Sequence, residues 1–310
     1  MAPCAEKPRV VLVVPCYNEG ETIAAVIERF GQQLPDMDIL VFDNGSTDET
    51  AERARAAGAT VIDVPRRGKG NVVRRMFADV DADLYLMVDG DDTYDPSTAP
   101  ALLEAVSGAG RDMAVAIRRP VSDDAHRTGH ELGNILLGGL LGFMFGRRVG
   151  DVFSGYRAFS RRFVKSFPLQ SCGFEVETEM TVHALSLQMD VAEVDSDYRA
   201  RGRGSQSKLR TWHDGWNVLG TMVKLFTVER PLFFYGVLSL LLFVLGLGLG
   251  IPVVLEWLHT GLVPRFPTAI LASAVMLLSA LSLFAGLILD TVSRGRREAR
   301  VLAYLRHAPP

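Results

Sequence analysis

VVLVVPCYNEGETIAAVIERF, at residues 10–30, is the stretch that best predicts the fold, because a short apolar run ends in a polar turn and leads into a helical segment. Further apolar runs follow at residues 38–42, 60–64, 84–88 and 112–117, most of them with a helical segment behind them. Strands that are hydrophobic throughout are buried on both faces, as in the parallel sheet of an α/β layered domain. The sequence therefore predicts such a sheet, with ligands beyond the carboxyl ends of its strands.

The composition is that of a globular protein. Its 310 residues are 48% apolar and 22% charged, which excludes a disordered, collagen-like or disulfide-scaffold chain. Cys4, Cys16 and Cys172 are widely spaced and form no CxxC pair, so we expect reduced thiols in a cytosol-facing protein. Residues 1–200 carry 21 basic and 31 acidic side chains, and we expect no nucleic-acid partner.

Two uncharged apolar runs, Leu232–Leu255 (24 residues) and Thr268–Leu289 (22 residues), lie near the end of the chain. Each exceeds the roughly 20 residues that a helix needs to cross a bilayer, so they predict a transmembrane hairpin. The alternative is a pair of buried core helices. Basic residues flank the pair at 201–230 and 291–310, which predicts a multi-pass protein of the inner (plasma) membrane with both termini cytoplasmic. The apolar run near residue 10 is too short for a signal peptide.

Acidic residues follow the fourth predicted strand. The carboxylates of DGDD, at residues 89–92, would repel one another unless a cation lay among them. A partial set of oxygen ligands suits Mg²⁺ or Mn²⁺, which take their remaining ligands from water and substrate phosphate. We therefore predict Asp89 and Asp91 as metal ligands, with a solvated acidic turn as the alternative.

A second loop carries basic character. In Gly68-Lys69-Gly70 the glycines allow backbone N–H groups to approach an anion, and Lys69 adds a positive charge at a helix start. A metal loop and an anion loop on neighbouring strands predict a diphosphate ligand. Asp43, at the end of the second strand, is placed to accept a hydrogen bond from a nucleobase or ribose.

Together these motifs resemble the inverting glycosyltransferases of family 2. The resemblance covers about residues 9–230 and is carried by PCYNEGETI, FDNGSTDET, GKGN, DGD, SGYR, GFEVETE and SKLR. Within the family the chain resembles the polyprenyl-phosphate glycosyltransferases, the group of dolichyl-phosphate mannose synthases and bactoprenol glucosyl and aminoarabinosyl transferases. The resemblance implies metal-dependent transfer of a sugar from a UDP- or GDP-sugar to a polyprenyl (undecaprenyl or dolichyl) monophosphate, with inversion.

The resemblance also implies a domain organisation. Residues 1–200 would form a GT-A domain, which is α/β and Rossmann-like with a mostly parallel sheet. A basic amphipathic juxtamembrane segment would follow at 201–230, then two transmembrane helices within 231–290 and a basic cytosolic tail at 291–310.

Individual residues receive roles from the same resemblance. The implied nucleotide-sugar site contains Pro15, Tyr17, Glu19, Asp43, Lys69, Asp89 and Glu179. Asp89 and Asp91 match the family's DxD, and Thr93 stands where some relatives carry Gln. Asn44 replaces a second Asp that family members often carry.

The candidate catalytic residues are Asp91, Asp151 and Arg157. DVFSGYR, at residues 151–157, matches the family's D-x-x-S-G-x-R, in which the Asp lies near sugar and acceptor and the Arg near phosphate. A structural ion pair is the alternative. Downstream, Glu179 aligns with a recurrent family Glu, while Glu177 occupies a position that is often Gln.

The acceptor side is predicted from basic and apolar residues. The candidates for its phosphate are Arg118, Arg157, Arg201 and Lys208, because arginine can pair with phosphate in a bidentate way. Residues 132–146 are uncharged and too short to span, and Trp212 and Trp216 begin an amphipathic pattern, so both segments suit a membrane interface. Core-packing helices are the alternative for each.

Other functions remain open at this point. A processive polysaccharide synthase would carry a Q-x-x-R-W motif and more membrane helices, and the sequence has neither. A non-catalytic, membrane-anchored nucleotide-sugar-binding scaffold would have damaged metal or acceptor motifs. The donor is expected to be a UDP-sugar such as UDP-glucose or UDP-N-acetylhexosamine, with GDP-mannose as the alternative. Gly246, Gly248 and Gly250 would allow close helix packing and hence a homo-oligomer.

Overall fold

The computed structural model describes residues 8–121, 128–147, 149–168, 176–199, 220, 223–225 and 227–310, without the side chains of residues 120 and 128–133. It divides into two compact units. The first comprises Met1–Val218 and Ala299–Pro310, and the second comprises Leu219–Glu298. The final residues, Ala299–Pro310, thus belong to the first unit.

The first unit is built on a seven-stranded sheet in the order β3-β2-β1-β4-β6-β5-β7. The strands are β1 Val10–Cys16, β2 Asp38–Asp43, β3 Thr60–Asp63, β4 Leu84–Met87, β5 Met113–Pro120, β6 Arg157–Ser160 and β7 Val191–Tyr198. All neighbouring pairs are parallel except those of β6, which runs antiparallel to β4 and β5. The predicted α/β class is confirmed, and β6 and β7 are strands that the hydrophobic pattern did not reveal.

Helices cover both faces of this sheet. They are α1 Ile23–Gln33, α2 Thr50–Ala56, α3 Lys69–Asp79, α4 Ala99–Ser107, α5 Thr128–Phe145, α6 Arg161–Ser166 and α7 Val176–Ser186. Successive strand residues point to opposite faces, so Leu12 and Val14 of β1 enter one apolar core while Val11 and Val13 enter the other. Burial on both faces explains the continuous hydrophobicity of the central strands.

The end of the chain packs on the first unit through Tyr304. Its hydroxyl donates to Asp112 Oδ2 at 2.9 Å, and the guanidinium of Arg162 lies 4.7 Å from its ring centroid. Asp112 is 2% exposed and also pairs with Arg162. Burial and the hydrogen bond to Asp112 raise the pKa of Tyr304 to about 12, so the phenol stays protonated and donates.

Two helices are long and apolar enough to cross a membrane, α8 Pro231–Thr260 and α9 Phe266–Leu305. The second unit contains all of α8 and the residues of α9 as far as Glu298. Ser239 and Ser279 bind each other's backbone across the pair, with Oγ to O distances of 2.8 and 2.9 Å. A Cβ at Gly246 would lie 2.7 Å from Met276 Sδ. Gly246 therefore packs closely against the other helix of the hairpin.

Candidate active site

The loops after β1 and β2 are joined because the two strands are adjacent and in register. Cys16 lies opposite Asp43, and the Asn18 backbone N–H donates to Ser46 Oγ at 2.9 Å. Asp43 in turn accepts from the Ser46 backbone at 3.2 Å. Tyr17 lies beside this pair, with Arg67 4.7 Å above its ring. The structure thus brings together the residues predicted to hold a nucleoside at one edge of the sheet.

Pro15 and Glu19 complete that group. Pro15 is buried within β1 opposite Phe42. A Cβ at Gly90 would overlap Glu19 Oε2 and would lie 2.7 Å from Cys16 Sγ, so Glu19 packs directly against the backbone of the DGD loop. Thr22 strengthens this contact by donating to the Gly90 carbonyl at 2.6 Å. The loops after β1 and β4 therefore form one surface.

Asn44 joins the β2 loop to the basic turn. Its amide nitrogen donates to the carbonyls of Val64 at 3.0 Å and Arg66 at 2.7 Å, and its oxygen accepts from the Gly68 N–H at 2.7 Å. An aspartate could not donate to two carbonyls. Asn44, which stands where family members often carry a second Asp, therefore holds the turn that carries Lys69.

Lys69 is the central cation of the site. Its Nζ lies 2.5 Å from Asp89 Oδ1 and 2.5 Å from Glu177 Oε1, and its side chain is 12% exposed. Burial alone would lower the pKa of Lys69, but the charges of Asp89 and Glu177 outweigh burial and raise this pKa above its ordinary value. Lys69 is therefore a permanent cation between two carboxylates.

The three aspartates of the DGDD loop point to different partners. Asp91 is 3% exposed, and its Oδ1 accepts from Thr93 Oγ1 at 2.6 Å. Asp92, with a left-handed φ of 54°, pairs instead with Arg29 of α1 at 2.5 Å. Asp89 is held by Lys69. Each of the three carboxylates thus has its own partner in the structure.

A divalent metal fits this loop only as a partial site. Among the residues that the structure describes, no group of three or more His, Cys, Asp and Glu side chains lies close enough to hold an ion. Asp91 and Asp89 supply carboxylate oxygens of the kind that Mg²⁺ and Mn²⁺ prefer, and Asp89 is already engaged by Lys69. Mg²⁺ commonly binds one or two carboxylates plus substrate phosphates, so the donor set fits an ion that arrives with a diphosphate.

Asp151 lies in a buried ion pair with Arg118. Arg118 Nε donates to Asp151 Oδ2 at 2.6 Å and Nη2 donates to Oδ1 at 2.8 Å, which is a bidentate geometry. The Asp151 side chain is 5% exposed, whereas that of Arg118 is 24% exposed. The alternative interpretation of the motif is a structural ion pair between Asp151 and Arg157. Asp151 does form an ion pair, but its partner is Arg118.

The Asp151 segment touches the DGD loop at Gly155. A Cβ at residue 155 would overlap Asp89 Oδ2, and the Gly155 N–H donates to Tyr94 Oη at 2.9 Å. Tyr94 is 3% exposed, and burial raises its pKa, so the phenol stays neutral. Gly155 therefore places the Asp151–Arg118 pair beside the predicted diphosphate loop.

Arg157 does not reach this site. It is fully buried, and its guanidinium donates to the carbonyls of Ser154 at 2.8 Å and Val152 at 2.7 Å and to Thr181 Oγ1 at 2.9 Å. Burial lowers the pKa of Arg157 to about 10, so it stays charged at neutral pH. The expected contact with the acceptor phosphate is replaced by a structural role, because the guanidinium holds the backbone on which Asp151 lies.

Replacing Arg157 should therefore affect stability first. Arg157→Met leaves two buried carbonyls without donors, and we expect the free energy of unfolding to fall by about 2–4 kcal/mol in denaturant titrations. Arg161→Met provides the control, because its partly exposed pair with Asp81 should contribute less than about 1 kcal/mol. An Arg157→Met protein of normal stability would contradict the structural role.

Glu177 lies in the candidate site, although the resemblance to the family implies Glu179 as the site residue. Glu177 is 4% exposed and contacts Lys69, whereas Glu179 is only partly buried. His183, which follows on α7, hydrogen-bonds Ser166 Oγ through Nε2 at 3.0 Å. Burial lowers the pKa of His183 to about 3, so it is a neutral structural histidine. Arg201 and Lys208 lie outside the described residues.

Comparisons with known proteins agree with this geometry. The family model described as "Glycosyl transferase family 2" matches residues 11–167. Glycosyltransferase AglJ of Haloferax volcanii is 32% identical over 93% of this chain and 95% of its own length. The dolichyl-phosphate hexose transferase of the same organism is 27% identical over 71% of this chain and 95% of its own length.

A solved structure shows the same architecture with its ligands bound. Glucosyl-3-phosphoglycerate synthase of Mycobacterium tuberculosis, in complex with Mn²⁺ and UDP-glucose, superposes with a TM-score of 0.57 at 25% identity. The match covers 71% of this chain and 78% of that structure. These matches confirm the resemblance drawn from the motifs, and the chain is an enzyme that belongs to glycosyl transferase family 2.

Proposed function

We propose that this chain transfers a sugar from a UDP-sugar, such as UDP-glucose or UDP-N-acetylhexosamine, to a polyprenyl monophosphate with inversion, at the cytoplasmic face of the membrane. The single observation that carries the lipid acceptor is the apolar face of α5, on the helix that also contacts the Asp151 loop. Ile135, Leu136 and Phe143 are 65%, 53% and 69% exposed there. The dolichyl-phosphate hexose transferase supports the acceptor class, and the UDP-glucose complex supports the donor.

The donor half of the site is formed by the loops after β1, β2, β3 and β4. Tyr17 and Asp43 flank the space for a nucleoside, and Lys69 supplies positive charge for the diphosphate. Asp91 and Asp89 would hold Mg²⁺ or Mn²⁺ together with that diphosphate. When bound, such an ion stabilises the negative charge of the departing nucleotide.

The acceptor half needs positioning more than proton transfer. A phosphate monoester has its second pKa near about 6 and is already anionic at neutral pH. Its oxygen forms the new bond to the anomeric carbon while the bond from that carbon to the nucleoside diphosphate breaks, which inverts the anomeric centre. Arg118, partly exposed and held in orientation by Asp151, is placed to bind and aim the attacking phosphate.

Transfer to a lipid is the direct test. The full-length protein in phospholipid vesicles is given radiolabelled UDP-glucose, UDP-N-acetylglucosamine or GDP-mannose, with undecaprenyl phosphate. We expect Mg²⁺- or Mn²⁺-dependent label in an organic extract, and a product anomer opposite to that of the donor. Label from GDP-mannose alone would replace the proposed donor, and label in none of the three reactions would overturn the proposed function.

Two neighbouring arginines of β5 give a matched pair for the same assay. Arg118→Ala removes the cation from the buried pair, and we expect lipid transfer to fall about 100-fold. Arg119→Ala removes an exposed pair with Asp195, whose side chains are 63% and 65% exposed, and should change transfer less than about twofold. Equal effects of the two substitutions would contradict the role of Arg118.

A further inference from the structure

Asn134 connects helix α5 to the loop that carries Asp151. Its amide nitrogen donates to the Gly150 carbonyl at 3.0 Å and to Asp151 Oδ1 at 3.3 Å, and its oxygen accepts from the Val152 N–H at 2.9 Å. One side chain thus binds three successive residues. The Phe153 N–H also donates to Asp151 Oδ1 at 3.2 Å. The carboxylate therefore accepts hydrogen bonds both from the Asn134 side chain of α5 and from the backbone of its own loop.

A second contact holds α5 against the same loop. A Cβ at Gly138, four residues beyond Asn134, would lie 3.2 Å from the Val149 carbonyl oxygen. Helix and loop therefore approach with little clearance over residues 149–152. A displacement of α5 along or away from the loop must move the Asp151 backbone, because interiors packed this closely transmit displacement.

The two sides of α5 have different environments. Leu137 and Leu141 are fully buried, while Ile135 and Leu136 next to Asn134 are exposed. Large exposed aliphatic and aromatic side chains mark an interaction surface, and the part of α5 from residue 132 onward is uncharged, which suits the acyl boundary of a bilayer. The residue that binds the loop and the residues that would enter lipid lie on the same helical turn.

We propose that Asn134 is a positioning residue that couples the seating of α5 in the bilayer to the geometry of the Asp151–Arg118 pair. The inference rests on the proposed function, since it assumes that the lipid acceptor enters from the membrane. When α5 is bound at the bilayer, the Asn134 amide holds the Asp151 carboxylate in place. Asp151 in turn orients the Arg118 guanidinium, which positions the acceptor phosphate. Without this link the donor half of the site, on other loops, is unaffected.

Steady-state kinetics in vesicles separate this role from a general structural one. For Asn134→Ala we expect kcat for lipid transfer to fall about 10- to 100-fold, while KM for the nucleotide sugar stays within about twofold. Asn134→Asp keeps the acceptor for Val152 but loses both donors and places a second carboxylate beside Asp151, so it should be no better than Asn134→Ala. Normal kcat in Asn134→Ala would overturn the proposal.

Arg147→Ala is the matched control on α5's carboxyl side. It removes the contact of Arg147 with the Val191 carbonyl at 2.8 Å, which ties the segment after α5 to the sheet but not to the Asp151 loop. We expect kcat within about twofold of the unmodified protein. A loss equal to that of Asn134→Ala would show that any weakening of α5 suffices, and would overturn the specific role of Asn134.

Hydrogen exchange of the full chain tests the link without any sugar chemistry. Phosphatidylglycerol vesicles should slow exchange of the Val152 and Phe153 amides in the unmodified protein and not in Asn134→Ala. If vesicles changed the exchange of these amides equally in the two proteins, the inference would be overturned. The two proposals can also fail separately. If vesicles protect these amides only when Asn134 is present, but the protein transfers no sugar to lipid, the link is supported and the proposed function is refuted.

Discussion

Asp91→Asn should lower lipid transfer by about 1000-fold, because it removes the charge of a carboxylate that we propose as a ligand of a divalent ion. The amide keeps the size of the side chain and an oxygen that accepts from Thr93 Oγ1. Removing the ion from the unmodified protein with EDTA should have the same effect, and Mn²⁺ should restore activity to the unmodified protein and not to the variant. Both results are read as organic-extractable label in vesicles.

Asp92→Asn is the control within the same loop. Asp92 pairs with Arg29 of α1, away from Asp91, so we expect transfer to fall less than about tenfold. Thermal unfolding of both variants should remain close to that of the unmodified protein. If Asp91→Asn kept its activity, or if EDTA had no effect, the assignment of the metal to this loop would be wrong.

Lys69→Met should damage both stability and activity. It leaves the buried Glu177 and the partly buried Asp89 without their shared cation. Removing one partner of a buried ion pair costs about 3–5 kcal/mol, measured as the free energy of unfolding in denaturant.

A double substitution separates the two roles of Lys69. Lys69→Met with Glu177→Gln removes one of the uncompensated charges, so we expect it to recover part of the lost stability. Transfer should stay at least about 100-fold low, because no cation remains at this position to meet the diphosphate. A double variant that recovers stability and activity together would show that Lys69 serves the fold alone.

The donor half of the site was predictable from sequence because its signals are local. Each polar motif directly follows a strand that is apolar throughout, and parallel strands bring their carboxyl ends to one edge. The predicted sheet therefore placed Asp43, Lys69 and Asp89 at the same edge. It did not predict the direct contact of Lys69 with Asp89, because β2 and β1 lie between β3 and β4. Asn44 was visible as a departure from the family, but its two carbonyl partners were not.

The remainder depends on contacts between distant parts of the chain. Glu177 meets Lys69 across more than a hundred residues, and α7 is buried around most of its circumference, so no polar stripe marks the side that faces the site. Arg157 lies in a motif that suggests phosphate binding, yet the carbonyls that surround it belong to its own turn. Strand β6 is only four residues long, too short for a periodic pattern.

The position of Tyr304 bears on how the enzyme could be studied outside a membrane. A protein shortened to Met1–Val218 would lack Ala299–Pro310, although those residues belong to the same folded unit. Such a fragment would leave the surface around Asp112 and Arg162 uncovered. A synthetic peptide of residues 299–310, added to the fragment in solution, would be the means of completing it.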